Sequence, residues 1–103
     1  MNETTTFEDF TAAAHAAGFD EVLERRWAPN TELDDHAHSF DAKAIVKNGE
    51  MWLTCDGVTR HLIGGDTFTV ARQVQHSERY GSQGATLWVA RRNAQRNGVQ
   101  SVA

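Results

Sequence analysis

Cysteine is almost absent from the sequence. Cys55 is the single cysteine among 103 residues, so the chain cannot form an internal disulfide. This usage is typical of a reducing compartment, and we expect a cytoplasmic protein. No partner that would activate Cys55 can be identified in the sequence, so we expect an inert thiol buried in the fold.

Excess positive charge and long apolar runs are also missing. The chain has 10 Lys and Arg against 14 Asp and Glu, and its basic cluster is Arg91, Arg92 and Arg96 near the end. A nucleic-acid partner is disfavoured because phosphate backbones bind concentrated Lys and Arg. No apolar run approaches the roughly 20 residues of a membrane-spanning helix. The acidic stretch MNETTTFEDF at the N-terminus has no signal-peptide features, so we expect no membrane partner.

The composition is that of a small globular domain. Hydrophobic residues make up 40% of the chain and charged residues 23%, which indicates a packed core rather than disorder. A chain of this length forms one domain with a modest core. Because covering an exposed sheet would stabilise so small a domain, we expect a homodimer.

One helix is predicted, over residues 5–17. Thr5 and Glu8 have the spacing of a capping box, and Gly18 supplies a C-terminal stop. Apolar residues recur at helical spacing, at Phe7, Phe10, Ala13, Ala14 and Ala17. We therefore divide the chain into an N-terminal helix over 1–19 that packs on a β domain over 20–92, and a frayed tail over 93–103.

The rest of the chain reads as short strands separated by turns. The stretch 28–31, Asn48-Gly49, Asp56-Gly57 and Gly64-Gly65-Asp66 are turn signals, and residues 31–35 read as a loop. The predicted strands are 20–27, 38–48, 51–55, 58–63, 67–71, 75–80 and 85–91. Many short strands with such turns predict an all-β fold, either an antiparallel barrel or a double-sheet jelly roll.

Three histidines point to a metal site. His36 and His38 are two residues apart, which places them on one face if the strand geometry holds. His76 follows about forty residues later, behind a Gly-Gly-Asp turn. A third imidazole from another strand would complete a facial set of nitrogen donors, a common arrangement around a catalytic metal. The alternative is a group of hydrogen-bonded histidines without an ion.

These segments resemble the two motifs of the cupin superfamily. The stretch from His36 to Glu50 resembles the first motif, with a His-x-His pair and a closing glycine. The stretch from Gly65 to His76 resembles the second motif, which begins with Gly-Asp and ends on a histidine. The resemblance covers about residues 30–90, and it is closest to small single-domain bacterial cupins with an N-terminal helix. It implies a cupin β-barrel in which His36, His38 and His76 hold a divalent transition metal such as Fe, Mn, Ni or Zn.

The sequence departs from the family pattern in two places. The fourth ligand of the family is a Glu, but the corresponding positions hold Ala42 and Lys43. Asp41 should face away from the pocket, whereas Glu78 shares the parity of His76 and is a candidate extra ligand or catalytic base. The family's Pro-x-Gly before the last histidine is Ala71-Arg72-Gln73 here, which predicts a looser turn.

Other residues are assigned by strand parity. Phe40 and Val46 share the parity of the histidine pair, so Phe40 is expected to contact substrate and Val46 to lie in the core. Tyr80 shares the parity of His76 and is expected to place its hydroxyl at the pocket mouth; for both Phe40 and Tyr80 the alternative is a structural role. His15 and His61 are expected at the surface, and the tryptophans in the core or a dimer face: Trp27, Trp52 and Trp88.

Two functions follow from these expectations. The first is a small metal-dependent enzyme acting on a small organic molecule, like the dioxygenases, isomerases and decarboxylases among cupins. The second is a non-catalytic module that binds a small molecule and has lost part of the metal site. No residue in the sequence selects one reaction.

Overall fold

The computed structural model describes residues 5–93, which form one helix and six strands. No helix within this range is long and apolar enough to cross a membrane. The elements are α1 (Phe7–Ala16), β1 (Glu21–Trp27), β2 (Glu32–His36), β3 (Phe40–Cys55), β4 (Val58–Ile63), β5 (Thr67–Val70) and β6 (His76–Asn93).

The helix is capped one residue later than predicted. The Thr6 hydroxyl accepts a hydrogen bond from the Asp9 backbone N–H at 3.0 Å, and the Asp9 carboxylate accepts one from the Thr6 N–H at 3.4 Å. This reciprocal pair is a capping box. The buried face of α1, with Phe10 and Ala14, packs on Ile45 of the sheet. The helix therefore covers the outer face of β3.

All strand pairings are antiparallel and centre on two long strands. The order across the sheet is β1-β6-β3-β4, with β2 also paired to β6 and β5 also paired to β3. β3 and β6 pair with each other from Phe40–Asn93 at one end to Cys55–His76 at the other. Every other strand is hydrogen-bonded to one of these two, so β3 and β6 position the rest of the fold.

The predicted Asn48-Gly49 hairpin is wrong, because β3 runs straight through it. Asn48 pairs with Thr86 and Gly49 with Ala85, with register shifts on both sides. The left-handed φ of 80° at Gly49 therefore serves a β-bulge rather than a turn. A Cβ at Gly49 would lie 2.1 Å from the Gly84 carbonyl oxygen. The strands predicted over 38–48 and 51–55 are thus one strand.

Two other segment predictions are also wrong. The strands predicted over 75–80 and 85–91 form the single strand β6, which continues through 81–84. Its pairing with β3 shifts register there, from Met51–Tyr80 to Gly49–Ala85. The predicted loop over 31–35 is mostly strand β2, since its backbone pairs with β6 at Leu33–Glu78 and His36–His76. One face of β2 carries polar side chains that are exposed to solvent. This polar composition made the segment resemble a loop in the sequence.

The remaining turn predictions agree with the structure. Asp56 and Gly57 both have left-handed φ values, 53° and 77°, as a two-residue hairpin of type I′ requires. The Gly64–Asp66 turn connects β4 to β5. Of the predicted tail, only Asn93 is described; it ends β6, and its backbone N–H donates to the Asp20 carboxylate at 3.0 Å. Residues 94–103 lie outside the described residues.

The main core lies on the inner face of the folded sheet. The bulges in β3 change which residues face inward: Ala44 and Val46 are buried before them, and Met51 and Leu53 after them. Val46 lies in this core as predicted. Cys55, expected to be buried, is only partly buried because it ends β3 beside the β3–β4 turn.

Candidate metal centre

Three imidazoles converge at one end of the sheet. His36, His38 and His76 each offer a ring nitrogen, and these atoms all lie within 4.8 Å of one another. His36 at the end of β2 is directly opposite His76 at the start of β6, and their ring centroids are 4.3 Å apart. His76 is buried, while His36 and His38 are partly buried. The structure thus brings the predicted histidines together.

Backbone carbonyls orient two of these rings. Nδ1 of His36 lies 2.7 Å from the Asp34 carbonyl oxygen, and Nδ1 of His76 lies 2.9 Å from the Val74 carbonyl oxygen. A carbonyl oxygen can only accept, so both Nδ1 atoms carry the proton and donate. In the neutral rings this leaves the Nε2 lone pairs free, the arrangement usual for metal-binding histidines. The backbone carbonyl of Asp34 thus orients the His36 ring.

Glu78 approaches two of the three histidines. Its Oε2 lies 3.4 Å from Nε2 of His36 and 3.3 Å from Nε2 of His76. Its Oε1 accepts a hydrogen bond from the Tyr80 hydroxyl. Metal bonds of about 2.0–2.2 Å to nitrogen and oxygen place neighbouring ligand atoms about 3.0–3.4 Å apart in octahedral or tetrahedral geometry. Oε2 of Glu78 is therefore at a ligand-to-ligand distance from the Nε2 atoms of His36 and His76.

Tyr80 holds the Glu78 carboxylate by a hydrogen bond from its hydroxyl. The side chain is buried in the core rather than at the pocket mouth, and its ring stacks on Trp27 with centroids 5.1 Å apart. Burial, followed by the negative charge of Glu78, raises the pKa of the Tyr80 hydroxyl well above its usual range. The hydroxyl consequently stays protonated and keeps donating to Glu78. Strand parity placed Tyr80 on the face of His76. Its hydroxyl contacts Glu78, but its ring is buried in the core.

The surroundings of His38 favour its neutral form. Burial lowers the pKa of His38, and the positive charge that His36 and His76 would carry when protonated lowers it further. The ring stacks on Phe40, with centroids 4.6 Å apart and planes 12° apart. A neutral imidazole retains the lone pair that a metal ion requires.

The turn before His76 is held by a backbone hydrogen bond, although it lacks the proline and glycine of the family pattern. Gln73 adopts a left-handed φ of 64°, a conformation that is uncommon for residues other than glycine. Its backbone N–H donates to the His38 carbonyl oxygen at 2.7 Å. The predicted looser turn is therefore not observed, because this bond ties the second motif to the first.

Asp41 holds the same turn from the other side. Its Oδ1 accepts a hydrogen bond from the Arg72 backbone N–H at 2.8 Å, and its Oδ2 lies 3.3 Å from Nε of Arg92. The Arg72 backbone bond, together with the nearby guanidinium groups, lowers the pKa of Asp41 despite its partial burial. Asp41 thus faces away from the histidines, as predicted.

Replacing Asp41 by Asn should destabilise the protein in a pH-dependent way. The folded-state pKa of Asp41 is depressed, so its charge stabilises the fold above the unfolded pKa of about 4 and ceases to do so as pH falls through the folded value. We expect the variant to lose about 1 kcal/mol of unfolding free energy at pH 7, and the loss to shrink in acid. Urea unfolding between pH 7 and pH 3 measures both; a loss that is independent of pH would contradict this role.

A cavity of about 500 Å³ adjoins the histidines. Phe40 lines it as expected from parity, and Ala42 faces it without offering a ligand atom. Arg25 and Arg91 also line it. Neither arginine was predicted to face the cavity, although the alternation along β1 and β6 could have indicated them. The apolar part of the wall is formed mainly by Trp27, Leu33, Phe40, Phe68, Val70, Leu87 and Val89.

The other predicted surface and aromatic residues lie away from this cluster. His61 is exposed, bonds to Glu50 with Nε2–Oε2 2.8 Å, and stacks on Trp52 at 4.7 Å. Trp52 is therefore on the outer face of the sheet rather than in the core. Nδ1 of His15 donates to the Phe19 carbonyl oxygen at 2.9 Å. Trp88 packs beneath α1, where its ring contacts Phe10.

Comparison with solved structures identifies the fold, whereas comparison with family models and curated proteins finds no match. Among solved structures, an RmlC-like cupin from Shewanella frigidimarina is similar with a TM-score of 0.64 and 23% identity, over 77% of this chain and 71% of that one. A protein of unknown function from Rhizobium leguminosarum gives 0.66 and 21%, over 70% and 68%.

A further similar chain comes from crystal structures of the DMSP lyases RdDddP and RnDddQII. It gives a TM-score of 0.65 and 19% identity, over 71% of this chain but 38% of that one. At these identities the similarity establishes the fold and carries no activity with it. The predicted mostly antiparallel β architecture with one N-terminal helix is confirmed.

Proposed function

We propose that this protein, which has the cupin fold, binds one divalent transition-metal ion and uses it to act on a small organic substrate. The three-histidine cluster is the observation that carries this proposal, because its nitrogen atoms converge within 4.8 Å beside a cavity of about 500 Å³. A cavity of this size is typical for small ligands.

The residues present suit such an ion. Imidazole nitrogens bind Fe, Ni and Zn well, and adding a carboxylate oxygen also suits Mn. His36 and His76 have their Nδ1 protons committed to carbonyl oxygens, so only Nε2 is left to bind. When present, a divalent ion supplies a Lewis acid that polarises substrate oxygen atoms.

Glu78 is the residue proposed to combine metal binding with proton transfer. Oε1 is occupied by the Tyr80 hydroxyl, so Oε2 alone is available to the cluster. If Oε2 joins the histidines as a ligand, its negative charge offsets part of the ion's charge. If it stays free, it is positioned to take a proton from a substrate in the cavity. The reaction classes consistent with this arrangement remain those of a dioxygenase, an isomerase or a decarboxylase.

A second function is a binding module without catalysis. Ala42 occupies the position of the family's carboxylate ligand and faces the cavity with a methyl group. This loss favours a pocket in which the histidines hydrogen-bond to Glu78 and a small molecule binds without an ion.

The metal content of the purified protein and of the Glu78→Gln variant tests the proposal. Elemental analysis should find about one equivalent of metal in the wild type. Titration against a competing chelator should show affinity reduced by about 10- to 100-fold in the variant, since the amide keeps the shape but lacks the charge. Glu50→Gln is the matched control, because Glu50 bonds to His61 outside the cluster.

The possible outcomes separate the two functions. Wild-type protein that neither retains nor binds Fe, Mn, Ni or Zn would support the binding module and reject the metal-dependent enzyme. Equal affinity in the wild type and in Glu78→Gln would leave the histidines as ligands and remove Glu78 from the site.

A further inference from the structure

Arg91 is a charged residue on the cavity wall whose hydrogen bonding is incomplete. It lies on β6, and its side chain is only 23% exposed. Its Nε is buried and has no hydrogen-bond partner within residues 5–93. The carboxylate that pairs with it, Glu21, is 3.8 Å from Nη1, which is too long for a hydrogen bond. A buried guanidinium N–H without an acceptor is destabilising, so this atom requires an explanation.

The guanidinium group lies on the histidine side of the cavity. Its central carbon is 4.5 Å from the centroid of the Phe40 ring, and the same ring stacks on His38. A ligand group held by Arg91 would therefore lie against Phe40 and close to the metal-binding nitrogens.

The charged residues on the cavity wall are of both signs: Arg25, Arg91, Glu32, Asp34 and Glu78. Glu78 lies against His36 and His76, whereas Arg91 lies against Phe40, on the side of His38. Arg25, a second guanidinium on the wall, lies over the Trp27 ring at 4.5 Å. An anionic group is attracted to Arg91 and repelled by Glu78, which contact different residues of the wall. An asymmetric ligand would therefore bind with its acid group toward Arg91.

We infer that the cavity binds a small organic acid whose carboxylate is held by Arg91 and whose apolar part packs against Phe40. A guanidinium presents paired N–H donors that match the two oxygens of a carboxylate, and such a bond would give the unpaired Nε an acceptor. The aromatic and aliphatic wall of the cavity suits an apolar body. This inference rests on the proposal that the cavity binds a small organic substrate, and it names the chemical class.

Pairs of acids and neutral amides of the same shape test the inference. Benzoate with benzamide, and butyrate with butyramide, are titrated into the protein by calorimetry, both after chelation of all metal and after loading with zinc. In the metal-free wild type we expect each acid to bind about 10- to 100-fold more tightly than its amide. Arg91→Gln should remove this preference, and Arg91→Lys should retain part of it, because the charge remains while the paired donors are lost.

Arg26→Gln is the matched control. It removes the same charge from the neighbouring strand, and its side chain is 78% exposed and pairs with Glu24; the acid preference should stay at the wild-type value. Circular dichroism and thermal melting establish that each variant is folded. If Arg91→Gln does not fold, Arg91→Lys decides the outcome: an acid preference equal to that of the wild type would overturn the inference.

The metal-free arm keeps this inference distinct from the metal proposal. An acid preference that depends on Arg91 without metal supports the inference even if no metal binds. Acid binding that appears only with zinc and is unchanged in Arg91→Gln would place the carboxylate on the ion; the inference would fail while the metal proposal stands. No preference for either acid over its amide in any state also overturns it.

Discussion

His76→Ala should bind divalent transition metals at least about 100-fold more weakly than the wild type. Changes to residues that merely orient a ligand cost about 10- to 100-fold in metal affinity, and removing a ligand atom itself should cost at least the upper end of that range. His76 is the most buried of the three histidines. Chelator competition with zinc and manganese measures the loss.

The control for this prediction is His61→Ala. His61 is exposed and contacts Glu50 and Trp52, so its removal tests whether any histidine loss weakens binding. Its metal affinity should equal that of the wild type. If His76→Ala binds metal as tightly as the wild type, the three histidines are a hydrogen-bonded group around Glu78 and the binding-module function is favoured.

Gly49→Ala should destabilise the fold by about 2–5 kcal/mol. A left-handed φ costs a residue with a Cβ about 1–2 kcal/mol, and forcing atoms into a packed site costs about 1–3 kcal/mol or more. Both penalties apply at Gly49, where φ is 80° and the added Cβ would lie 2.1 Å from the Gly84 carbonyl oxygen and 2.7 Å from the Ala85 Cα. Because the obstacle is backbone, β3 and β6 would have to separate there.

Gly57→Ala provides the matched control. Gly57 has a similar φ of 77°, but a Cβ added to it meets nothing within 4 Å. Only the conformational penalty applies, so a loss of about 1 kcal/mol is expected. The unfolding free energies of the two variants, measured in denaturant, separate the steric penalty from the conformational penalty. Equal losses would show that β6 moves away from Gly49 at little cost, and that the bulge is less tightly packed than the structure indicates.

The sequence predicted the histidine cluster because its members follow simple local patterns. His36 and His38 are two residues apart, and His76 follows a Gly-Asp turn. The structure brings all three together. Parity also placed Glu78 on the face of His76, where its Oε2 contacts two of the rings. Strand alternation carried the prediction for Glu78, because His76 and Glu78 both lie on β6. His38 lies between β2 and β3, so the convergence of the three histidines followed from the resemblance to the cupin motifs.

The predictions that failed required knowledge of distant partners. A glycine with positive φ can form a hairpin turn or a β-bulge. At Gly49 the bulge forms because β6 pairs with Asn48 and Gly49. The polar stretch of β2 becomes a strand because β6 satisfies its backbone. Similarly, Arg91 counted as part of a basic cluster in the sequence, whereas strand pairing turns it toward the cavity and Arg92 toward Asp41.

The ladder between β3 and β6 also suggests the order in which the protein folds. The pair Cys55–His76 is separated by the shortest stretch of chain and Phe40–Asn93 by the longest, and closing a shorter loop loses less entropy. Zipping is thus expected to start beside His76 and proceed away from it. Helix α1, which packs on Ile45 and Ala90, can dock only after the ladder has passed them. The end of the ladder beside His76 would then be assembled early, and the outer helical layer last.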